Sequence, residues 1–229
     1  RANAHFFINQ CSESNYMDSL NKKYNFNLGK LMTSWNKKEI ALAITEPGSM
    51  DLVNNTYALI RTENTGDAIQ SLEKIQMAVG KNKGNEKYRS HTISNFSLNS
   101  IVPLFYGNIF IDIEQSYYTT VRDFVVFANN PSILKSLIDD FEDKKLLENE
   151  SDFISHKNNS ILNGQLNVYF NFQRGTNILR SISNEDISMK LINDGIIKKS
   201  VQSLAISASA KNGMTSSTGR IDFSGKIKK

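Results

Sequence analysis

The residues of this chain capable of chemistry are three histidines, one cysteine, several carboxylate pairs and one lysine-rich loop. His5, His91 and His156 stand far apart. None lies i, i+4 from another histidine, and none sits beside a cysteine or carboxylate at ligand spacing. A zinc or similar site needs such a cluster, so the expectation is no metal and no cofactor. The chain has no Gly-x-Ser-x-Gly elbow and no phosphate loop. The glycines and lysines of 80–84 (GKNKG) follow a helical pattern and do not open a new helix, which leaves them as an exposed connection.

Carboxylate pairs occur at Asp112 and Glu114, Asp139 and Asp140, and Glu185 and Asp186. A glycosidase places two carboxylates across a cleft, about 5–9 Å apart. Alternation puts Asp112 and Glu114 on one face of a strand, which makes them the best candidates for a hydrolase. Asp139 and Asp140 fall on the polar face of a helix, where charge is usually only solvated. Cys11 has no nucleophile signature around it and reads as a buried or incidental thiol. Lys81, Lys83, Lys87 and Arg89 form a basic stretch able to meet an anionic surface such as phospholipid or polysaccharide, or simply to keep a loop soluble. The aromatic residues Tyr117, Tyr118, Tyr169, Phe170 and Phe172 suit either a recognition surface or the buried face of a sheet.

Composition narrows the classes further. With 229 residues, 39% apolar and 22% charged, the chain buries a core without disulfide or metal staples. The formal charge is only +4, from 27 basic and 23 acidic residues, and the signs are mixed along the chain. The acidic run 139–143 (DDFED) would repel a phosphate backbone, so no nucleic-acid partner is expected. One cysteine cannot form an internal disulfide and leaves the compartment open. No apolar run reaches the roughly 18 residues that cross a bilayer, and no signal peptide is visible.

The elements that must position these groups follow from periodicity. The first 36 residues read as a helical segment, with Tyr16, Met17, Leu20 and Tyr24 on one stripe and Leu28, Leu31, Met32 and Trp35 on another. Residues 37–229 read as one α+β unit: a twisted, mainly antiparallel sheet with helices packed largely on one face. Strands are expected over Glu39–Thr45, Thr56–Thr62, Tyr88–Leu98, Ser116–Thr120, Asp123–Ala128 and Gln165–Gln173. The segment 101–110 fits either a short helix or a strand. The chain closes on a hairpin around Lys211, Asn212 and Gly213, with Leu204, Ile206, Ala208, Ile221 and Phe223 facing the core. Helices are expected over Asp67–Val79, from Pro131, over Glu150–Asn158 and from Asn177.

One pattern recurs three times: an extended apolar run, a capping residue, then a helix start with a serine in the same place. It covers 57–72, 124–137 and 168–182, with the serines at Ser71, Ser136 and Ser181. The unequal intervals exclude a solenoid. Either a weak duplication or recurrent capping chemistry explains it.

The order of segments carries a resemblance. Residues 35–44 (WNKKEIALAI), 56–60 (TYALI), 104–110 (LFYGNIF), 118–134 (YTTVRDFVVFANNPSIL), 147–153 (LENESDF), 166–171 (LNVYFN) and the hairpin to Ile221 resemble, in sequence, a family of exported Bacteroidetes proteins catalogued as domain of unknown function 3352. The resemblance implies an exported protein of the cell envelope or periplasm, with an N-terminal signal or membrane anchor and a C-terminal β-rich, propeller-like continuation. This chain is then an interior piece, which suits Arg1 and the basic tail 226–229. It brings no catalytic residues. The expected function is a non-enzymatic envelope scaffold or protein-binding domain, with a protein or envelope component as partner. The alternative is a lipid or small-ligand carrier with an apolar cavity, and the third is a carbohydrate-active hydrolase using Asp112 or Glu114.

Overall fold

The structure is a computed structural model that describes residues 11–45, 53–79, 84–96, 98–115, 117–159, 162, 164–176, 178 and 200–223, without the side chains of 11–16 and 38. The elements alternate as expected of an α+β chain, and the strand pairs described are all antiparallel. The sequence places 37–229 in one unit. By contact the chain groups into two, one ending at Asp139 and the other running on from Asp140 and including 45–50.

The first unit holds α1 (Cys11–Tyr24), α2 (Leu28–Thr33), β1 (Asn36–Ile44), β2 (Thr56–Thr62), α3 (Thr65–Val79), β3 (Asn85–Tyr88), β4 (His91–Asn95), α4 (Ile101–Tyr106), β5 (Tyr117–Val121), β6 (Phe124–Ala128) and most of α5 (Pro131–Glu142). Its six strands lie in the order β1-β2-β6-β5-β4-β3. Alternation sends successive side chains to opposite faces. Ala58, Ile60, Val125, Phe127 and Tyr118 go to one face, where Leu20 of α1, Leu28 and Met32 of α2, Leu72 and Ile75 of α3 and Ile101 of α4 cover them. Tyr57, Leu59, Val126, Ala128 and Ile93 go to the other, where Ile133, Leu134 and Ile138 of α5 pack. Each fully buried Val, Leu, Ile, Met or Phe among them contributes about 1.5–3 kcal/mol by leaving water.

Most helices of this unit therefore share one face, as the sequence suggests, and α5 takes the other. The ambiguous segment 101–110 is helix α4 followed by a 3-10 turn over Asn108–Phe110. Two strand-cap-helix repeats lie within the described residues. The helix after β2 and the helix after β6 sit on opposite faces of the sheet. They share an order of elements without sharing a pose. The helix of the third repeat falls outside the described residues.

Local chemistry sets the boundaries. Asn64 caps α3, which starts two residues before the expected Asp67: its Oδ1 accepts from Gly66 N at 2.8 Å. Asn130 caps α5, accepting from Ile133 N at 3.1 Å, while Pro131 occupies the first helical position, where its missing N–H costs nothing. The expected strand 88–98 is shorter in the structure: it starts on the last residue of β3 and passes a tight turn into β4, with Tyr88 opposite His91. Its turn relies on Arg89 at φ +50°. Arg61 on β2 ties β1 and the β5–β6 turn to its own strand, reaching Glu39 at 2.7 Å and Asp123 at 2.6 Å.

The second unit holds α6 (Ser151–Asn158) and a three-stranded sheet, β7 (Leu166–Asn171), β8 (Val201–Lys211) and β9 (Met214–Phe223), in the order β7-β8-β9. The expected hairpin is present, with Asn212 at φ +53° and Gly213 at φ +78° joining Lys211 to Met214. Its buried face differs from the expected one. Leu166, Val168, Ile206, Ile221 and Phe223 are exposed, whereas Ser203, Ala205 and Ser207 are buried. The period of the strands is as read, and the face that is covered is the opposite one.

Candidate functional site

Two places concentrate polar chemistry. The first is a groove of about 340 Å³ in the first unit, lined by Gly84, Asn85, Glu86, Ile93, Asn95, Tyr117 and Pro131. Pairing explains its floor. Glu86 stands opposite Ile93 and Asn95 opposite Tyr117, so these four side chains share one face across β3, β4 and β5. The wall is the first turns of α5. Lys135 of α5 forms an ion pair with Glu86 and holds its ammonium 5.5 Å from the Tyr88 ring centre. One turn on, Asp139 accepts from the Tyr88 hydroxyl at 2.9 Å and pairs with Arg89 at 2.7 Å. Lys135 and Glu86 thus offset each other beside the groove, as do Arg89 and Asp139.

At the end of β6, Asn129 joins its own loop to those of Val53 and of Asp112 and Gln115. Its Nδ2 donates to Val53 O at 2.9 Å and Asp112 O at 2.6 Å, and its Oδ1 accepts from Gln115 N at 3.0 Å. The side chain is buried. On the other face of the sheet, burial pushes the Tyr118 phenol up to about 12 and the Tyr106 phenol well above its usual range. Both phenols are donors: Tyr118 to Gln76 Oε1 and Tyr106 to Met32 O.

The second place is a buried cluster in the second unit. His156 of α6 is fully buried, with Nε2 2.8 Å from Ser203 Oγ and 3.2 Å from Asp222 Oδ2. A bulge at Gln202 creates this arrangement: the register slips between Val201 and Ser203, which sets Ser203 opposite Asp222. Arg220 Nε holds Asp222 at 2.7 Å. The Tyr169 ring packs edge-on against both Phe153 and His156. Burial first, and the Asp152 charge second, raise the Tyr169 phenol, a rise that nearby Ser203 and Asn171 temper. Its hydroxyl and His156 Nδ1 are both enclosed, and among the described residues neither has a hydrogen-bond partner.

Serine, histidine and aspartate suggest a hydrolytic triad by type. The geometry is different. In a triad one ring nitrogen faces the serine and the other is oriented by the carboxylate. Here Ser203 and Asp222 share Nε2, and Ser203 lies with no exposed surface in the central strand of the sheet. The group fastens α6 to β8 and β9.

The candidates from the sequence are scattered. Asp112 and Glu114 lie on a turn and the segment after it, correcting the expected strand; both are exposed and neither lines the groove. Asp139 is bonded to Tyr88 and Arg89 and so is not merely solvated. Lys87 is exposed on β3, on the face opposite Glu86, and Arg89 pairs with Asp139. Lys81, Lys83, His5, Glu185 and Asp186 lie outside the described residues, as does the side chain of Cys11. Among the described residues no group of three or more His, Cys, Asp or Glu is placed to hold a metal ion. No described helix is long and apolar enough to cross a membrane. Sequence reasoning missed Asn129, Ser203 and Asp222. Their only signals were the Asn-Asn-Pro turn and the polar members of two alternating strands.

The class defined here is an α+β protein of two antiparallel-sheet units. The family model described as Protein of unknown function (DUF3352) matches residues 14–213, and the chain belongs to that family. No curated protein and no solved structure matches it significantly.

Proposed function

We propose that this chain is a non-enzymatic binding or scaffold domain of an exported Bacteroidetes envelope protein, and that the groove between β3, β4, β5 and α5 is its recognition site. The observation that carries the proposal is how the reactive side chains are used. His156, Ser203 and Asp222 are spent on joining α6 to its sheet, and Asp139 and Glu86 on holding α5 against β3. The groove, by contrast, combines an aromatic ring, two amides and a proline in a concave, largely preformed surface, which suits ligand binding. Export and envelope location rest on the resemblance of segment order. The partner is an envelope component, and membrane anchoring would fall to a segment outside this chain.

The test is to tag the full-length protein in its native host, fractionate the cells, and photo-crosslink in vivo from position 85 at the groove lip. The expected result is envelope localisation and a discrete adduct, reduced at least fivefold by Tyr117→Ala. A cytosolic protein, or the same adducts with and without Tyr117, would refute the proposal.

A further inference from the structure

We infer that the groove takes a neutral oligosaccharide, one or two sugar rings deep. This rests on the groove being a recognition site and adds the chemistry of what it recognises.

Three features select the ligand. The first is charge. A ligand carrying phosphate or carboxylate needs cations to meet it, yet Lys135 is committed to Glu86 and Arg89 to Asp139. Of the cations on β3, Lys87 stands on the opposite face from the groove floor. Among the described residues the groove therefore presents balanced charge, and bringing in a net charge would cost desolvation that these paired groups do not offset. The second is the distribution of polar and apolar surface. Sugars have an apolar C–H face and a rim of hydroxyls, each both donor and acceptor. Tyr117, Ile93 and Pro131 supply apolar and aromatic surface, while Asn85 and Asn95 bring amide groups that can pair with vicinal hydroxyls. The third is size. At about 340 Å³ the groove lies at the small end of ligand sites, roughly 300–1,000 Å³. That matches one or two sugar rings.

The site is also well supported from below. Ile93 is buried against Ile133, Leu134 and Ile138 of α5, and Tyr117 packs on the same cluster. Asn130 fixes the start of α5, and with it Pro131. A rigid floor and wall keep the ordering cost of binding low, which a shallow polar site requires.

The probes are cellobiose, chitobiose and maltose, with a phosphorylated sugar, glucose 6-phosphate, as the charged control. The full 229-residue chain, methyl-labelled at isoleucine, is titrated by NMR. The expected result is saturable shifts of the Ile93 methyl with at least one neutral disaccharide, with Kd of about 0.1–5 mM. Asn85→Ala and Tyr117→Ala should each weaken binding by about tenfold or more. Asn85 is exposed at the lip, so its variant keeps the test valid if Tyr117→Ala unfolds. A shift with glucose 6-phosphate alone, or no saturable shift from any neutral sugar up to about 20 mM, overturns the inference. If that happens while the in vivo adduct from position 85 persists, the groove binds something else and only the sugar assignment falls. If the adduct is also absent, the binding-domain proposal falls with it.

Discussion

Replacing Asn129 is expected to destabilise the first unit more than its modest size suggests. Its side chain makes three hydrogen bonds, two to carbonyls of Val53 and Asp112 and one from Gln115 N, and is only 7% exposed. Asn129→Ala removes all three and unties two carbonyls and an N–H at part-buried positions. At about 1 kcal/mol net per bond, more where water cannot enter, the loss is about 3 kcal/mol. With a urea slope of about 2 kcal/mol per M, the midpoint falls by about 1.5 M. Trp35, the only tryptophan, is buried in this unit and reports its unfolding by fluorescence. Asn129→Asp sharpens the test. The introduced carboxylate still accepts from Gln115 N but faces two carbonyl oxygens, so its ionised form is disfavoured in the fold and its pKa rises there. A carboxyl whose folded pKa is raised carries no penalty below its unfolded pKa, about 4, and the full penalty above the folded one. Asn129→Asp should therefore be at least as damaging as Asn129→Ala at pH 7.5 and recover, relative to wild type, at pH 4.5. An Asn129→Ala midpoint within about 0.3 M of wild type, or no pH dependence in Asn129→Asp, would refute this account.

Gly213→Ala should cost about 1 kcal/mol, because φ is +78° and no atom crowds the position, leaving backbone strain as the whole effect; chemical denaturation followed by circular dichroism reads it. Gly164→Ala should be worse, since the new methyl would lie 2.5 Å from the Ala208 carbonyl oxygen; hydrogen exchange along β8 should accelerate. Asp123 is held below the usual carboxylate range, chiefly by its hydrogen bond to Arg61. Its small contribution is present above the unfolded carboxylate pKa and lost as pH falls through the folded one. The urea-midpoint gap between wild type and Asp123→Asn should thus close in acid and in high salt. A fluorophosphonate probe should leave Ser203 unlabelled by mass spectrometry; an adduct there would overturn the non-enzymatic proposal.

Much of the fold is legible from local rules. Thr56–Thr62 is bounded in the structure as read, because its apolar run ends at capping chemistry on one side and a turn on the other. The final hairpin follows from Asn-Gly, which supplies two positive-φ positions cheaply. The β3–β4 hairpin escaped because its turn uses Arg89 at φ +50°, a residue with no turn signature, held in place by Asp139 from α5. Period alone gives the residues that share a strand face, and it does not say which face is covered. That is why Leu166, Val168, Ile206, Ile221 and Phe223 were assigned to a core they do not enter. The groove floor was unreadable for a related reason: Glu86, Asn95 and Tyr117 are brought together by register between strands, which no single segment encodes.

The inverted sheet of the second unit changes what substitutions mean there. The covered side of β8 is built from Ser203, Ala205 and Ser207, so closeness, not greasiness, is what that strand is selected for. Enlarging Ser203 should push α6 off the sheet and enlarging Ser207 should displace the segment at Gly164, while Ile206 and Ile221 tolerate polar exchange. A mutational scan of this strand would rank serine above isoleucine, and a core inferred from hydropathy alone would be drawn on the wrong side of the backbone.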